Sequence, residues 1–146
     1  MVMKLSFVTD TATLCVFDVA SLRHRLADAA DWWSIPEDEV AEVNMGNAAF
    51  LGLGRDGVYQ VELVESLRTT NPIGLKIPSG NVFIGAGEEV TSDGLEPEGL
   101  RGGFIRLAPG TYELHAKFVG PSEIQIAFYK TSKLVANRFS RPIKLK

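Results

Sequence analysis

From residue 48 onward the chain is a succession of short runs in which apolar and polar residues alternate, each closed within a few residues by glycine, proline or an Asp-Gly pair. A period of two sends successive side chains to opposite faces of a strand, and turn residues this close together leave no room for long helical crossovers. Residues 48–53, Gly54-Arg55-Asp56-Gly57 and residues 58–64 predict a hairpin, because Asp-Gly supplies the positive φ of a tight reversal. Tyr59, Val61 and Leu63 share one face there, and Gln60 and Glu62 the other. Short strands at 73–77 and 82–85 flank the turn Pro78-Ser79-Gly80-Asn81. Residues 104–107, Ala108-Pro109-Gly110 and residues 111–119 predict a second hairpin, with Tyr112, Leu114, Ala116 and Phe118 on one side and Glu113, His115 and Lys117 on the other. Gly120-Pro121-Ser122 turns the chain into a strand lined by Ile124, Ile126 and Phe128, and a last strand is expected around 143–145.

The N-terminal third reads differently. Residues 3–8 and 12–17 predict two strands around a turn at Thr9-Asp10-Thr11. From Asp18 the apolar residues Val19, Leu22, Leu26, Ala29, Ala30 and Trp33 fall at helical spacing, with Asp18 or Ser21 as N-cap. Ser34-Ile35-Pro36-Glu37 has the pattern of a capping box with proline at the first turn, predicting a second short helix over 35–43. The expected fold class is mainly β: an antiparallel β-sandwich or open barrel of eight to ten short strands with one or two short helices near the N-terminus, in one domain spanning 1–146. With 146 residues the chain can bury a full core without disulfides or a structural metal.

The single cysteine, Cys15, excludes an intramolecular disulfide and any multi-cysteine metal site. No window approaches 18 consecutive apolar residues, and the first ten residues fall short of a secretory signal, so a cytoplasmic protein without a membrane anchor is expected.

The net charge of −3 conceals a division. Residues 1–100 carry six Lys/Arg against sixteen Asp/Glu, whereas residues 101–146 carry nine against two. One acidic run holds Asp28, Asp31, Glu37, Asp38, Glu39 and Glu42; a second holds Glu88, Glu89, Asp93, Glu96 and Glu98 within a segment, 85–103, that reads as a long loop. After Glu123 only bases follow. Charge runs ordinarily form solvated faces, here with the two halves attracting each other within one fold. The functional alternatives are an acidic surface meeting a basic partner and a basic tail meeting phosphate or anionic lipid. Nucleic acid is not expected as a partner, since Phe139 is the one aromatic in the basic run and no stacking platform accompanies it.

No nucleophile elbow, phosphate loop, dinucleotide fingerprint or His-Glu-x-x-His occurs. His24 and His115 are the only histidines, and an enzyme or metal site would need them brought together with Cys15 or carboxylates. The segment after Gly87 lacks the alternating oxygen ligands of a calcium loop, so neither metal nor cofactor is assigned. Trp32 and Trp33 are adjacent, so on a helix they point about 100° apart; both pack at a helix edge, or Trp32 stands out as an aromatic anchor within the acidic surface.

Asp31-Trp32-Trp33-Ser34-Ile35-Pro36, Gly54-Arg55-Asp56-Gly57-Val58-Tyr59 and Pro109-Gly110-Thr111-Tyr112 together resemble a family of small uncharacterised bacterial proteins. The pairing of Ser79-Gly80-Asn81-Val82-Phe83-Ile84-Gly85 with Pro-Gly-Thr-Tyr is also similar in style to immunity proteins encoded beside bacterial toxins. The leading expectation is a non-enzymatic, protein-binding module, an immunity-type inhibitor using Trp32, Asp28, Asp31, Glu37, Asp38, Glu39, Glu42, Glu88 and Glu89 to occlude its partner. The alternatives are a small-molecule or carbohydrate binder lined by Tyr59, Tyr112 and Tyr129, and a small hydrolase or metal enzyme.

Overall fold

A computed structural model describes residues 3–25, 32–91, 101–133, 135 and 137–146. The strands are β1 (Met3–Thr9), β2 (Thr13–Asp18), β3 (Ala49–Gly52), β4 (Gly57–Leu63), β5 (Ile73–Ile77), β6 (Asn81–Ala86), β7 (Gly102–Arg106), β8 (Gly110–Gly120), β9 (Glu123–Thr131) and β10 (Ile143–Lys144); the helix α1 spans Pro36–Asn44. They form two five-stranded sheets, β1-β4-β9-β8-β5 and β10-β3-β2-β6-β7. The alternation read from the sequence therefore yields a sandwich of ten strands, and two of its ladders, β4 with β9 and β10 with β3, run parallel.

Alternate residues of each inner face fill the space between the sheets: Phe7, Tyr59, Leu75, Leu114 and Ile126 from one, Leu14, Val16, Leu51, Val82 and Ile84 from the other. Burying aliphatic and aromatic side chains of this kind is worth about 1.5–3 kcal/mol each and dominates the stability. β2 is buried at every position, lying between β3 and β6 with the 3-10 turn Gly87–Thr91 packed against it. Along the β1–β7 side the sandwich closes tightly: a Cβ added to Gly103 would meet Leu5 Cδ2 at 2.9 Å.

Both predicted hairpins prove to be arches. β3 and β4 lie in different sheets, as do β7 and β8, so each turn carries the chain across the sandwich. β1 to β2 and β5 to β6 cross in the same way, while β8 and β9 make a true antiparallel hairpin. Asp-Gly and Pro-Gly specify that the chain reverses, but not whether the second strand pairs with the first or faces it.

The helix predicted from Asp18 is not found in the described residues up to Arg25. The chain there turns and makes a single 3-10 turn, Arg23–Arg25, while residues 26–31 lie outside the described residues. Asp18 does accept a bond from Ala20 N at 2.8 Å, but its oxygens also take Ser79 N, Ser79 Oγ and Gly80 N at 2.6–2.9 Å. That buried carboxylate clamps the β5–β6 arch, where Gly80 has φ +89° and any Cβ would strike Leu107 O at 2.5 Å. The second helix forms as predicted, spanning Pro36–Asn44 with Ile35 as N-cap and proline in its first turn. The supposed long loop is ordered at both ends: β6 runs to Ala86, a 3-10 turn covers Gly87–Thr91, and β7 begins at Gly102. Residues 92–100 are outside the description.

Candidate functional site

The acidic residues divide into those spent on the fold and those presented to solvent. Glu42 projects inward from α1, is 1% exposed, and is held by His24 Nε2 at 2.9 Å, Arg25 Nε at 2.7 Å and Asn47 Nδ2 at 2.8 Å. Burial pushes its carboxyl up, but the hydrogen bonds from Asn47, His24 and Arg25 outweigh burial and hold it below the usual carboxylate range. Glu88 clamps the β1–β2 arch by accepting from Thr9 Oγ1 at 2.9 Å, Thr11 Oγ1 at 2.6 Å, Asp10 N at 2.8 Å and Arg101 Nη1 at 3.0 Å. Burial again acts upward and is overcome by hydrogen bonds from the Asp10 backbone, Thr11, the Glu88 backbone and Thr9, leaving the net shift downward. Glu89 is buried. Asp28, Asp31, Asp93, Glu96 and Glu98 lie outside the described residues.

Trp32 corrects the expectation of an exposed anchor. It is 3% exposed, meets Phe50 edge-on with ring centres 6.1 Å apart, and lies under the Arg25 guanidinium at 4.6 Å. Trp33 stacks on the same Phe50 at 6.2 Å. Two adjacent tryptophans can both be buried because they straddle one phenylalanine within a 3-10 turn, Trp32–Ser34, rather than diverging around an α-helix.

Tyr59 and Tyr112, expected as pocket linings in the ligand-binding alternative, are used in the fold. Each is buried and donates its hydroxyl to the backbone carbonyl four residues earlier, Arg55 O at 2.7 Å and Ala108 O at 2.6 Å. Both are tyrosine corners that brace the β3–β4 and β7–β8 arches. Tyr129 is half-buried and accepts from Leu67 N at 2.7 Å.

The groups with catalytic chemistry are each tied to a different partner. Cys15 is fully buried and donates to Ala86 O at 3.4 Å; burial pushes its thiol up, and Glu88 and Glu89 push the same way, away from a nucleophilic thiolate. His24 serves Glu42. His115, expected on a wet face, is 2% exposed because residues 67–69 fold over it: its Nδ1 accepts from Thr69 N at 2.9 Å, and its ring meets Tyr129 edge-on at 5.3 Å. Among the described residues no three His, Cys, Asp or Glu converge on a point that could hold a metal ion.

Two polar surfaces are left over. The first is the solvent-reaching part of α1, with Glu37 exposed on the outward side, Asp38 half-buried, Glu39 half-buried on the side of Glu42 and Val43, and the apolar Ile35 and Met45, at 42% and 47% exposure, at its two ends. Asp38 is 3.5 Å from Arg25 Nη1. Burial alone raises the Glu39 carboxyl to about 7, and no hydrogen bond or ion pair to its side chain offsets that among the described residues. The second is a cleft of about 420 Å³ at the β5–β10 edge of the sandwich, between the C-terminal segment and residues 69–71. Its rim carries Lys117, Arg138, Arg141, Lys144 and Lys146, and no Asp or Glu side chain lines it. The charge division is thus not neutralised inside the fold. Acidic side chains meet Arg25, Arg68, Arg101 and the two histidines, and the five cations lining the cleft form no ion pair among the described residues.

Fold and surfaces together define a two-sheet β-sandwich whose sheets are joined by side-chain-clamped arches. The chain belongs to DUF6386, a family of unknown function whose model matches residues 1–145, in agreement with the resemblance carried by the Trp-Trp, Asp-Gly and Pro-Gly segments. Among solved structures it is similar to "Crocagin biosynthetic gene J", at 14% identity and a TM-score of 0.56 over 89% of this chain and 97% of that one. It is also similar to ComJ from Bacillus subtilis, described as an inhibitor of the DNA-degrading activity of NucA, at 13% identity and a TM-score of 0.48 over 90% of this chain and 96% of that one. The former likeness is one of fold. None of the curated proteins compared matches the sequence. No helix of the described residues is long and apolar enough to cross a membrane.

Proposed function

We propose that this chain is a non-enzymatic protein-binding module of the inhibitor type, which docks the solvent-reaching part of α1 against a basic surface of its partner and acts there by occlusion. The observation that carries this reading is the acidic part of α1: Glu37 and Glu39 have no cationic partner among the described residues, and exposed Ile35 and Met45 flank them. An apolar anchor at each end with carboxylates between them suits a partner presenting lysine or arginine, which would set orientation and speed encounter. The structural use of Cys15, His24 and His115 supports the non-enzymatic part. Trp32, Glu42 and Glu88 leave the proposed surface, and Glu37, Asp38 and Glu39 remain in it.

The test is affinity capture from the native host with the wild-type chain and with a Glu37→Lys/Glu39→Lys variant, followed by calorimetry on the purified partner. A basic partner whose affinity drops at least tenfold in the variant is expected; equal affinity of the two proteins would remove α1 from the interface. Because Glu39 is about half protonated near pH 7, a partner cation beside it draws the proton off. Binding at pH 7 should then release a fraction of one proton, read from calorimetry in buffers of different ionisation enthalpy.

A further inference from the structure

We infer that the chain carries a second binding site, independent of the α1 surface: the cleft at the β5–β10 edge takes a small organic anion, a carboxylate or phosphate monoester attached to an apolar body. The topology creates the space. β5 pairs with β8 only from Gly110 to Leu114, so the rest of that eleven-residue strand has no strand neighbour on that side. On the facing sheet the edge strand is β10, two residues long. The sandwich is left open there, and the gap of about 420 Å³ lies in the range of small-ligand sites.

Both walls are fixed by named bonds. The C-terminal wall is tied to α1 by a reciprocal pair, Asn44 Nδ2 to Phe139 O at 2.9 Å and Phe139 N to Asn44 Oδ1 at 2.8 Å. Farther along, Leu145 N donates to Gly52 O at 2.9 Å and Phe118 N to Lys146 O at 3.1 Å, so the segment spans from one sheet to the other. The opposite wall, Thr69, Thr70 and Asn71, is pinned by buried His115, whose Nδ1 faces both Thr69 N at 2.9 Å and Thr69 Oγ1 at 3.0 Å. The arrangement is preorganised, which limits the ordering cost of taking up a ligand.

The lining specifies the ligand. Leu51, Ile73, Leu114 and Leu145 give an apolar interior, while Thr70, Asn71 and Ser140 add hydrogen-bonding groups at the walls. Five cationic residues and no acidic side chain line this one small cleft, and an anion there gains the bidentate geometry that Arg138 and Arg141 offer to carboxylate or phosphate. A free inorganic anion would satisfy the rim and leave the apolar interior wet. An amphipathic cation would be repelled.

The probes are phenyl phosphate and octanoate, with inorganic phosphate and octyltrimethylammonium as controls, titrated into the full chain by calorimetry and by amide chemical shifts. Saturable binding of at least one organic anion is expected, at least tenfold tighter than inorganic phosphate, with the largest shifts at residues 69–71 and 138–146. Arg138→Glu/Arg141→Glu should weaken it at least tenfold, while Lys130→Glu/Lys133→Glu, outside the cleft, should not. All substituted side chains are solvent-exposed, and melting temperatures no lower than that of the wild type confirm that the variants fold. The proposal is overturned by no saturable binding of either organic anion at millimolar concentration, by inorganic phosphate binding as tightly, by insensitivity to the arginine variant, or by binding of a polyglutamate peptide in place of both organic anions. Because the variants leave Glu37 and Glu39 intact, failure here leaves the α1 reading standing, and the converse holds.

Discussion

Tyr59 and Tyr112 show how one hydroxyl can carry a structural role that reads as a functional one. Both follow a glycine by two residues and bond back to a carbonyl four residues upstream, so the repeated Gly-x-Tyr signal marks a braced crossing between sheets. Tyr59→Phe keeps the ring in the core and removes the bond, which should cost about 1 kcal/mol of unfolding free energy in urea titration, with no change in either proposed binding reaction. Glu39 is the opposite case, a carboxylate whose position costs stability. Its folded pKa of about 7 lies above the ordinary 4.5 because burial disfavours the charged form. The folded state therefore holds its proton more tightly than the unfolded state, and the penalty sets in as pH rises through the window from about 4.5 to about 7. Glu39→Gln should match the wild type in melting temperature at pH 4 and exceed it at pH 8. A wild type as stable as the variant at pH 8 would show that this carboxyl is not desolvated. These roles were only partly legible in the sequence: Glu37, Asp38, Glu39 and Glu42 are acids on one short helix, and only its orientation decides that Glu42 is inward and bonded while Glu37 faces water.

At the level of elements, the arches organise the molecule. Four consecutive crossings are each held by a side chain or pair of side chains: Thr9 with Glu88, Tyr59, Asp18, and Tyr112. A fifth, from β9 to β10, has no tight turn and is stitched by asparagines instead. Asn137 exchanges bonds with Gly74 in both directions and also donates to Val43 O, while Asn44 pairs with Phe139. Asn44→Ala should therefore raise amide hydrogen exchange over residues 137–146 by about tenfold, corresponding to about 1.4 kcal/mol of local opening, with protection in β2 and β6 unchanged. Exchange that rises equally in β2 would mean that this segment is part of the global unit. Strand count and strand faces could be read from alternation, and α1 from its proline and its apolar spacing. The pairing of strands could not, since a turn dipeptide dictates only the local reversal and the choice between hairpin and arch is made by the sheet that the next strand joins.

For the molecule as a whole, the opposed charges of its two portions are kept apart. Arg25 and Arg101 meet the acidic side chains near them, and the C-terminal cations converge on a cleft without carboxylate side chains. Like charges held together oppose folding at low ionic strength, where the Debye length is longest. Arg138→Glu/Arg141→Glu should therefore raise the melting temperature by a few degrees at about 0.01 M salt and lose that advantage near about 0.5 M. No change at low salt would show that the rim charges are too mobile to interact. The linear sequence by itself determined that the chain is β-rich, that it forms eight to ten strands, which side of several of them faces inward, and that acid and base are segregated, because periodicity and composition are local properties. The tertiary structure alone decided that adjacent strands cross between sheets, that Trp32 and His115 are buried, and that Lys117 joins the C-terminal bases at one cleft. Those outcomes rest on contacts between segments tens of residues apart, whose cost and gain no local pattern encodes.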